Sequence, residues 1–442
     1  MDTAFGVSAR AEKVFPPVLH HYHSFTIAKA HGCTVVSTDG NRYLDFSSGL
    51  AVLNVGYGHP EVLAAVHQQV DRFVHTGSIY HNESTTAAAE ELVSITPSGL
   101  DMLFFGNSGA EAVEASLKLS RYVSGRQAIV SFTGAFHGRT FGALSVTTSN
   151  SSYRRRYHPL LPSVYQLPYP ACFNCPLGLN HGSCGTRCLQ EAIRLFERQV
   201  PPDEVAAVII EPFLGEGGYY PAPPEFLQGL RTICDEYGIL LIFDEVQSGI
   251  GRTGKWFFCE HADVTPDILV VAKALASGFP LGAVVAGQHL MAQWEPGAHG
   301  STFGGNPVAC AAARATLQVI KKEGLLARGA ELGERALARL RTFADTCPWI
   351  GDVRGYGLMM AIEIVDENGA PDGPRCSLLI EECLRRGLMV INCGMKRNIV
   401  RIIPPLTVTD AELDEGLTAL GAGLEELDRS SLSRAPVTVA AD

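Results

Sequence analysis

The sequence predicts an α/β chain whose main sheet is mostly parallel, followed by a smaller α+β unit. Two observations carry that class. Short apolar segments without polar alternation recur between amphipathic helical stretches, as strands covered on both faces require. Past about residue 320 the pattern changes to long helices that lead into further strand-like runs. With 442 residues, 46% hydrophobic and 18% charged, the chain can bury a large core and does not read as disordered.

In chain order, residues 102–105 read as a buried strand and 109–122 as a helix with few breakers. Further strands are expected at 127–132, 205–210, 239–243, 268–271 and 282–286, with helices at 188–198 and 224–237 between them. Helical patterns at 306–322 and 324–343 then give way to strands at 357–365, 388–392 and 399–403. The last helix opens with a capping box, Thr409 and Glu412. Leu413, Leu417, Leu420, Leu424 and Leu427 follow it as one apolar stripe. From Arg429 onward the tail reads as frayed. We expect an N-terminal arm and part of a small domain (1–59), a large domain (60–320) with an insertion at 168–190, and a C-terminal small domain (321–442).

Charge narrows the partners. Lys and Arg number 35 against 46 Asp and Glu, a net −11 without a basic run. Neither nucleic acid nor an anionic membrane surface is expected. No apolar stretch reaches the roughly 20 residues that span a bilayer. The start of the chain shows no positive-then-apolar leader, so a cytoplasmic location is expected.

Of twelve cysteines, Cys33, Cys234, Cys259, Cys310, Cys347, Cys376, Cys383 and Cys393 are scattered, several inside apolar segments where a thiol acts as a small hydrophobe. Cys172, Cys175, Cys184 and Cys188 instead crowd one Pro- and Gly-rich insertion. Their spacing is compatible with tetrahedral zinc or an iron–sulfur centre. A reduced or structurally paired loop is the expectation, with no metal assigned.

Lys273 is the most informative residue. It follows an apolar strand and precedes a Gly- and Pro-rich loop. Desolvation there lowers an amine's pKa and makes it a nucleophile toward carbonyls. Alone, it would read as a lysine snorkelling from a strand end. Asp244 ends another apolar strand, as a helix-cap acid or as the carboxylate that holds a pyridinium nitrogen protonated. The pair favours pyridoxal 5′-phosphate (PLP), which needs both groups. In FFGNSGAEAVEASLK a strand, a small-residue turn and a helix start aim the N–H groups of Ser108, Gly109 and Ala110 at an anion, as any capped helix after a strand also does. Phe136 and His137, in SFTGAFHGRT, can stack on an aromatic ring, although core packing explains Phe136 equally well.

In this order and spacing, FFGNSGAEAVEASLKLSRY, AFHGRT, IIEPFLGEGG, LIFDEVQSGIGRTG, VAKALASGFPLG and GSTFGGNP resemble the class-III (ω-amino-acid) aminotransferases. The resemblance runs from about residue 31 to 414. It implies PLP fold type I, with a mostly parallel seven-stranded sheet covered by helices. It also implies a homodimer or a tetramer of dimers, a small-molecule amino donor and a 2-oxo acid acceptor. Lys273 would be the Schiff-base lysine and proton shuttle, Asp244 the partner of the ring nitrogen, and Val246 the residue under the ring. Gln247 would contact the 3′-oxygen, with Glu211 behind it. Phe136 would stack on the opposite face with His137 adjacent. Ser108, Gly109 and Ala110 would take the phosphate, completed by Thr302 from the neighbouring subunit.

Four residues bear on substrate. Arg139 resembles the arginine for the far carboxylate and Arg401 the one for glutamate's α-carboxylate. Glu216 resembles the acid that covers Arg401 while an ω-amino substrate is bound; a static ion pair or two unrelated surface ions are the plainer alternatives. Leu50 stands where ornithine aminotransferases carry a tyrosine, which counts against ornithine. The strongest resemblance is to 4-aminobutyrate aminotransferases, through GLAVLN, FLGEGGYY, ALASGFPLG and DVRGYGLMMAIE. Acetylornithine aminotransferases and the racemases and epimerases of the same fold share much of this set. A binding module that had lost catalysis would have shed some of these residues, and here all are present.

Overall fold

The apolar runs assemble into one seven-stranded sheet. Its order in space is Met102–Gly106, Gly282–Ala286, Ile268–Val271, Leu240–Asp244, Val205–Ile210, Ala128–Phe132, Val164–Leu167. This computed structural model describes residues 4–18 and 21–432. Gly282–Ala286 runs antiparallel to both its neighbours, and the other pairs are parallel. Every residue of Val205–Ile210 and Gly282–Ala286 is buried, which is why these segments carry no polar alternation.

Val164–Leu167 is a strand beyond those expected from the residues. It is short, contains a glutamine and closes the sheet edge, where three of its four residues are only half-buried. The helix Gly109–Ser124 starts from Ser108, whose side chain accepts the Glu111 N–H (3.2 Å), and ends at Gly125 with φ 68°.

The expected strand at 388–392 divides in two. Leu388–Met389 pairs in parallel with Leu44 and Asp45, extending a sheet of Ile27–His31, Thr34–Ser37 and Arg42–Asp45. Ile391–Cys393 joins Ile350–Tyr356, Met359–Ile364 and Ile399–Ile402 in an antiparallel sheet. The capping box forms: Thr409 N–H donates to Glu412 (2.9 Å) and Glu412 N–H to Thr409 Oγ1 (3.2 Å). The helix it opens, Asp410–Leu432, continues past Arg429, where fraying was expected; residues 433–442 lie outside the described residues. Among the described residues no helix is long and apolar enough to cross a membrane.

One buried side chain joins distant parts of the chain. Arg252, 1% exposed, donates to Asn54 Oδ1 and to the carbonyls of Pro404 (2.6 Å) and Leu358 (3.3 Å). Burial lowers its pKa to about 10, and among the described residues no carboxylate pairs with it. Its value therefore lies in three acceptors that would otherwise be orphaned. Arg252→Met is expected to destabilise the apoprotein by about 2 kcal/mol, measured as a lower urea midpoint. An unchanged midpoint would contradict this role.

Candidate active site

The sheet delivers its strand ends to one cavity of about 450 Å³. Ser108 follows Met102–Gly106, Phe136 follows Ala128–Phe132, and Glu211 directly follows Val205–Ile210. Asp244 is the last residue of its strand, and Lys273 comes two residues after Ile268–Val271. Ligands of open α/β sheets bind outside the carboxyl ends of the strands for this reason.

Lys273 opens a single 3₁₀ turn with φ +40°, a left-handed backbone that a side-chain-bearing residue rarely adopts. Burial lowers its amine's pKa; Glu211 and Asp244 oppose that shift and Arg401 adds to it. Asp244 is buried, with one partner on each oxygen. His137 Nδ1 donates to Oδ2 (2.7 Å) and the Val246 N–H to Oδ1 (3.0 Å). His137, expected beside Phe136, gains in this way a partner that the sequence does not name. It lines the same cavity as Phe136, its ring orients Asp244, and its Nε2 is buried without a partner among the described residues.

Glu211 accepts the N–H groups of Phe136 (2.7 Å) and Gly215 (2.8 Å). A Cβ on Gly215 would stand 2.6 Å from Gln247 Nε2 and 3.1 Å from Glu211 Oε2, so both side chains crowd its bare face. Gln247 Oε1 accepts the Tyr219 hydroxyl, leaving Nε2 as its donor. Gly109 is required by a close approach: a Cβ there would meet the two Val246 methyl groups at 3.0 and 3.1 Å. The N–H groups of Gly109 and Ala110, in the first turn, have no carbonyl within their helix to reach. The set fits PLP. It holds an anion cradle, a carboxylate fixed by two donors, an amine with lowered pKa, and Val246 and Phe136 lining one cavity.

Of the substrate candidates, Glu216 and Arg139 line this cavity, Arg139 and Leu50 line a second one of about 650 Å³, and Arg401 lines neither but lies behind Glu216. Arg139 lines both; Leu50 lines only the outer one, where it is 46% exposed. Arg401, 2% exposed, has Nη1 3.2 Å from Glu216 Oε2, and its Nη2 donates to the Asn392 carbonyl (2.8 Å). Thr302 lies outside the cavity of its own chain, on an exposed loop. Sequence reasoning gave no role to Tyr153, which lies in no motif, or to Tyr219, which lies within FLGEGGYY; they enter through Glu216 and Gln247.

Cys172, Cys175, Cys184 and Cys188 are unpaired thiols around one small pocket that His181 also lines. Burial pushes Cys172 and Cys188 up to about 11. Among the described residues no three His, Cys, Asp or Glu side chains are grouped as a metal site requires.

Residues 16–424 match the family described as aminotransferase class-III. A probable 4-aminobutyrate aminotransferase of Bacillus subtilis is 38% identical over 400 residues, covering 90% of this chain and 92% of its own. An alanine/serine racemase of Pyrococcus horikoshii is also 38% identical, over 93% of this chain and 88% of its own. A solved amine transaminase from an uncultivated Pseudomonas species, in its PLP-bound form, is 30% identical. It covers 94% of this chain and 99% of its own, with TM-score 0.88.

The carboxyl of Glu211 is pushed up from 4.5 to about 7, first by burial; the His137 charge opposes the shift and Asp244 adds to it. Burial raises Glu245 to about 7 as well. A carboxyl that binds its proton more tightly when folded adds stability that is full below its unfolded pKa and is lost as pH rises through the folded one. Glu211→Gln is therefore expected to make the apoprotein's thermal midpoint fall less, or rise more, than wild type between about pH 5 and pH 7, while His261, lowered by burial to about 4, adds an opposite slope common to both proteins. A variant slope equal to that of wild type would contradict the shift.

Proposed function

The chain belongs to the class-III aminotransferases, whose cofactor is PLP, and we propose that it moves the amino group of an ω-amino acid to 2-oxoglutarate. The best-matched donor is 4-aminobutyrate, which would give succinate semialdehyde and glutamate. One observation carries this reading. Glu216 covers the buried Arg401, while among the described residues no carboxylate pairs with Arg139, which lines the same cavity as Glu216.

An ω-amino donor has no carboxylate at its reacting carbon, so an open Arg401 would be a buried charge without a partner. Glu216 supplies that partner, and Arg139 takes the donor's own carboxylate. In the return half-reaction 2-oxoglutarate brings two carboxylates, one for Arg139 and one for Arg401, and Glu216 withdraws. A racemase substrate always carries an α-carboxylate, so an acid parked on Arg401 only hinders it. Identity to the racemase equals identity to the 4-aminobutyrate enzyme, which leaves the choice to this site.

PLP, when bound, supplies the electron sink for charge on the substrate carbon. Ser108, Gly109 and Ala110 would hold its phosphate, and Asp244, fixed by His137, would keep its ring nitrogen protonated. Val246 and Phe136 would cover the ring's two faces and exclude water, with Gln247 Nε2 offered to its oxygen. Lys273 Nζ, favoured as the neutral amine by burial, would accept the proton from the carbon bearing the amine and deliver it to the C4′ position of the cofactor, the transfer that separates amino transfer from racemisation. Thr302, outside the cavity of its own chain, would reach the phosphate from another subunit, which makes a homodimer or a tetramer of dimers part of the proposal.

Lys273→Ala is expected to abolish turnover; turnover at the wild-type rate would sink the assignment. Glu216→Ala is expected to slow the ω-amino half-reaction about tenfold more than the glutamate half-reaction, the difference expected from one uncompensated buried charge. Stopped-flow measurement of each half-reaction reads this directly, and equal losses in the two halves would remove the switch.

A further inference from the structure

Tyr153 closes a short 3₁₀ turn, Ser151–Tyr153, within SSYRRRYH, a stretch to which the sequence attaches no role. In the structure its two ends meet the two arginine sites. The Arg139 guanidinium stands 3.9 Å from the centre of its ring, and the Phe136 ring meets it edge-on at 5.9 Å. At the other end its hydroxyl donates to Glu216 Oε1 (3.3 Å), while Glu216 Oε2 faces Arg401. Glu216 thus has a separate partner on each oxygen.

We propose that Tyr153 is a positioning residue that latches Glu216 over Arg401 and, through its ring, sets Arg139. One side chain then fixes how the two carboxylate sites are arranged and how readily the inner one opens. The inference rests on the reading of Glu216 as a movable cover. Withdrawing that cover means giving up two contacts rather than one. A phenol donating to a carboxylate is favoured by the charge; at 3.3 Å this contact is longer than the roughly 2.5–2.7 Å of a strong charge-assisted bond, so it restrains Glu216 without locking it. A guanidinium over an aromatic face is held by the ring's quadrupole, which orients Arg139 without consuming its N–H donors. The two functions reside in different atoms. Tyr153→Phe keeps the ring and loses the latch, whereas Tyr153→Leu loses both.

The test is calorimetric titration of the holoenzyme with glutarate, a diacid with the carboxylate spacing of 2-oxoglutarate and no keto group to react. Tyr153→Phe is expected to bind glutarate about five- to tenfold more tightly than wild type, the size of one half-exposed bond to a charged group. Glu216→Ala should gain at least as much, and the double variant no more than Glu216→Ala alone. Tyr153→Leu should lose the gain, because Arg139 is no longer set. Unchanged or weaker binding to Tyr153→Phe overturns the latch, as does a gain that adds to that of Glu216→Ala. Absence of glutarate binding to Glu216→Ala also overturns it, since Arg401 is then not an anion site behind a cover. A wild type inert toward 4-aminobutyrate would sink the donor assignment alone, because the glutarate series needs no amino donor.

Discussion

A carboxylate buried at the end of an apolar strand is tolerated only when its oxygens have donors, and Asp244 is where this fold meets that constraint. His137 satisfies one oxygen and the Val246 N–H the other. Both donors come from segments that must run close to the strand end: the turn after Ala128–Phe132 and the chain just beyond Asp244 itself. Glu211 obeys the same rule through the backbone of Phe136 and Gly215. The strands themselves are apolar, so the sheet gathers its ionisable groups at one end. Lys273 shares a cavity with both carboxylates as a consequence of topology.

The second constraint is a cation. Arg401 lies in a strand of the smaller antiparallel sheet, while Glu216 comes from the segment after Val205–Ile210 in the larger one. Their contact therefore spans two sheets. The Gly394 N–H adds a backbone bond to the Glu216 carbonyl (2.9 Å), which pins the main chain and leaves the carboxylate arm as the part that can move. The cysteine-bearing insertion braces the same region. Tyr169 Oη lies 3.0 Å from the carbonyls of Glu211 and Tyr220, and Asn174 Nδ2 donates to Glu363 Oε1 (2.6 Å).

Much of this was legible in the sequence because the chemistry-bearing residues sit immediately after apolar runs. Ser108, Phe136, Glu211, Asp244 and Lys273 each follow or end a strand, so locating the strand located the residue. What stayed hidden depends on contacts between remote segments. Tyr153 has no motif because its role exists only once Glu216 and Arg139 arrive beside it. His137 reads from sequence only as a neighbour of Phe136, and its bond to Asp244, 107 residues away, appears only in the fold. Likewise LMVIN reads as one strand, but its halves enter different sheets, a choice made by Leu44 and Ile399–Arg401 rather than by the run itself. Val164–Leu167 escaped because an edge strand needs no continuous apolar face.

The choice of amino donor is tested most directly by the holoenzyme's cofactor absorbance in single half-reactions with 4-aminobutyrate and with leucine. Rapid conversion to the amine form of the cofactor with 4-aminobutyrate, and little with leucine, is the predicted result. Leucine losing its optical rotation while no amine form accumulates would contradict it, and would make the chain a racemase built on the same residues.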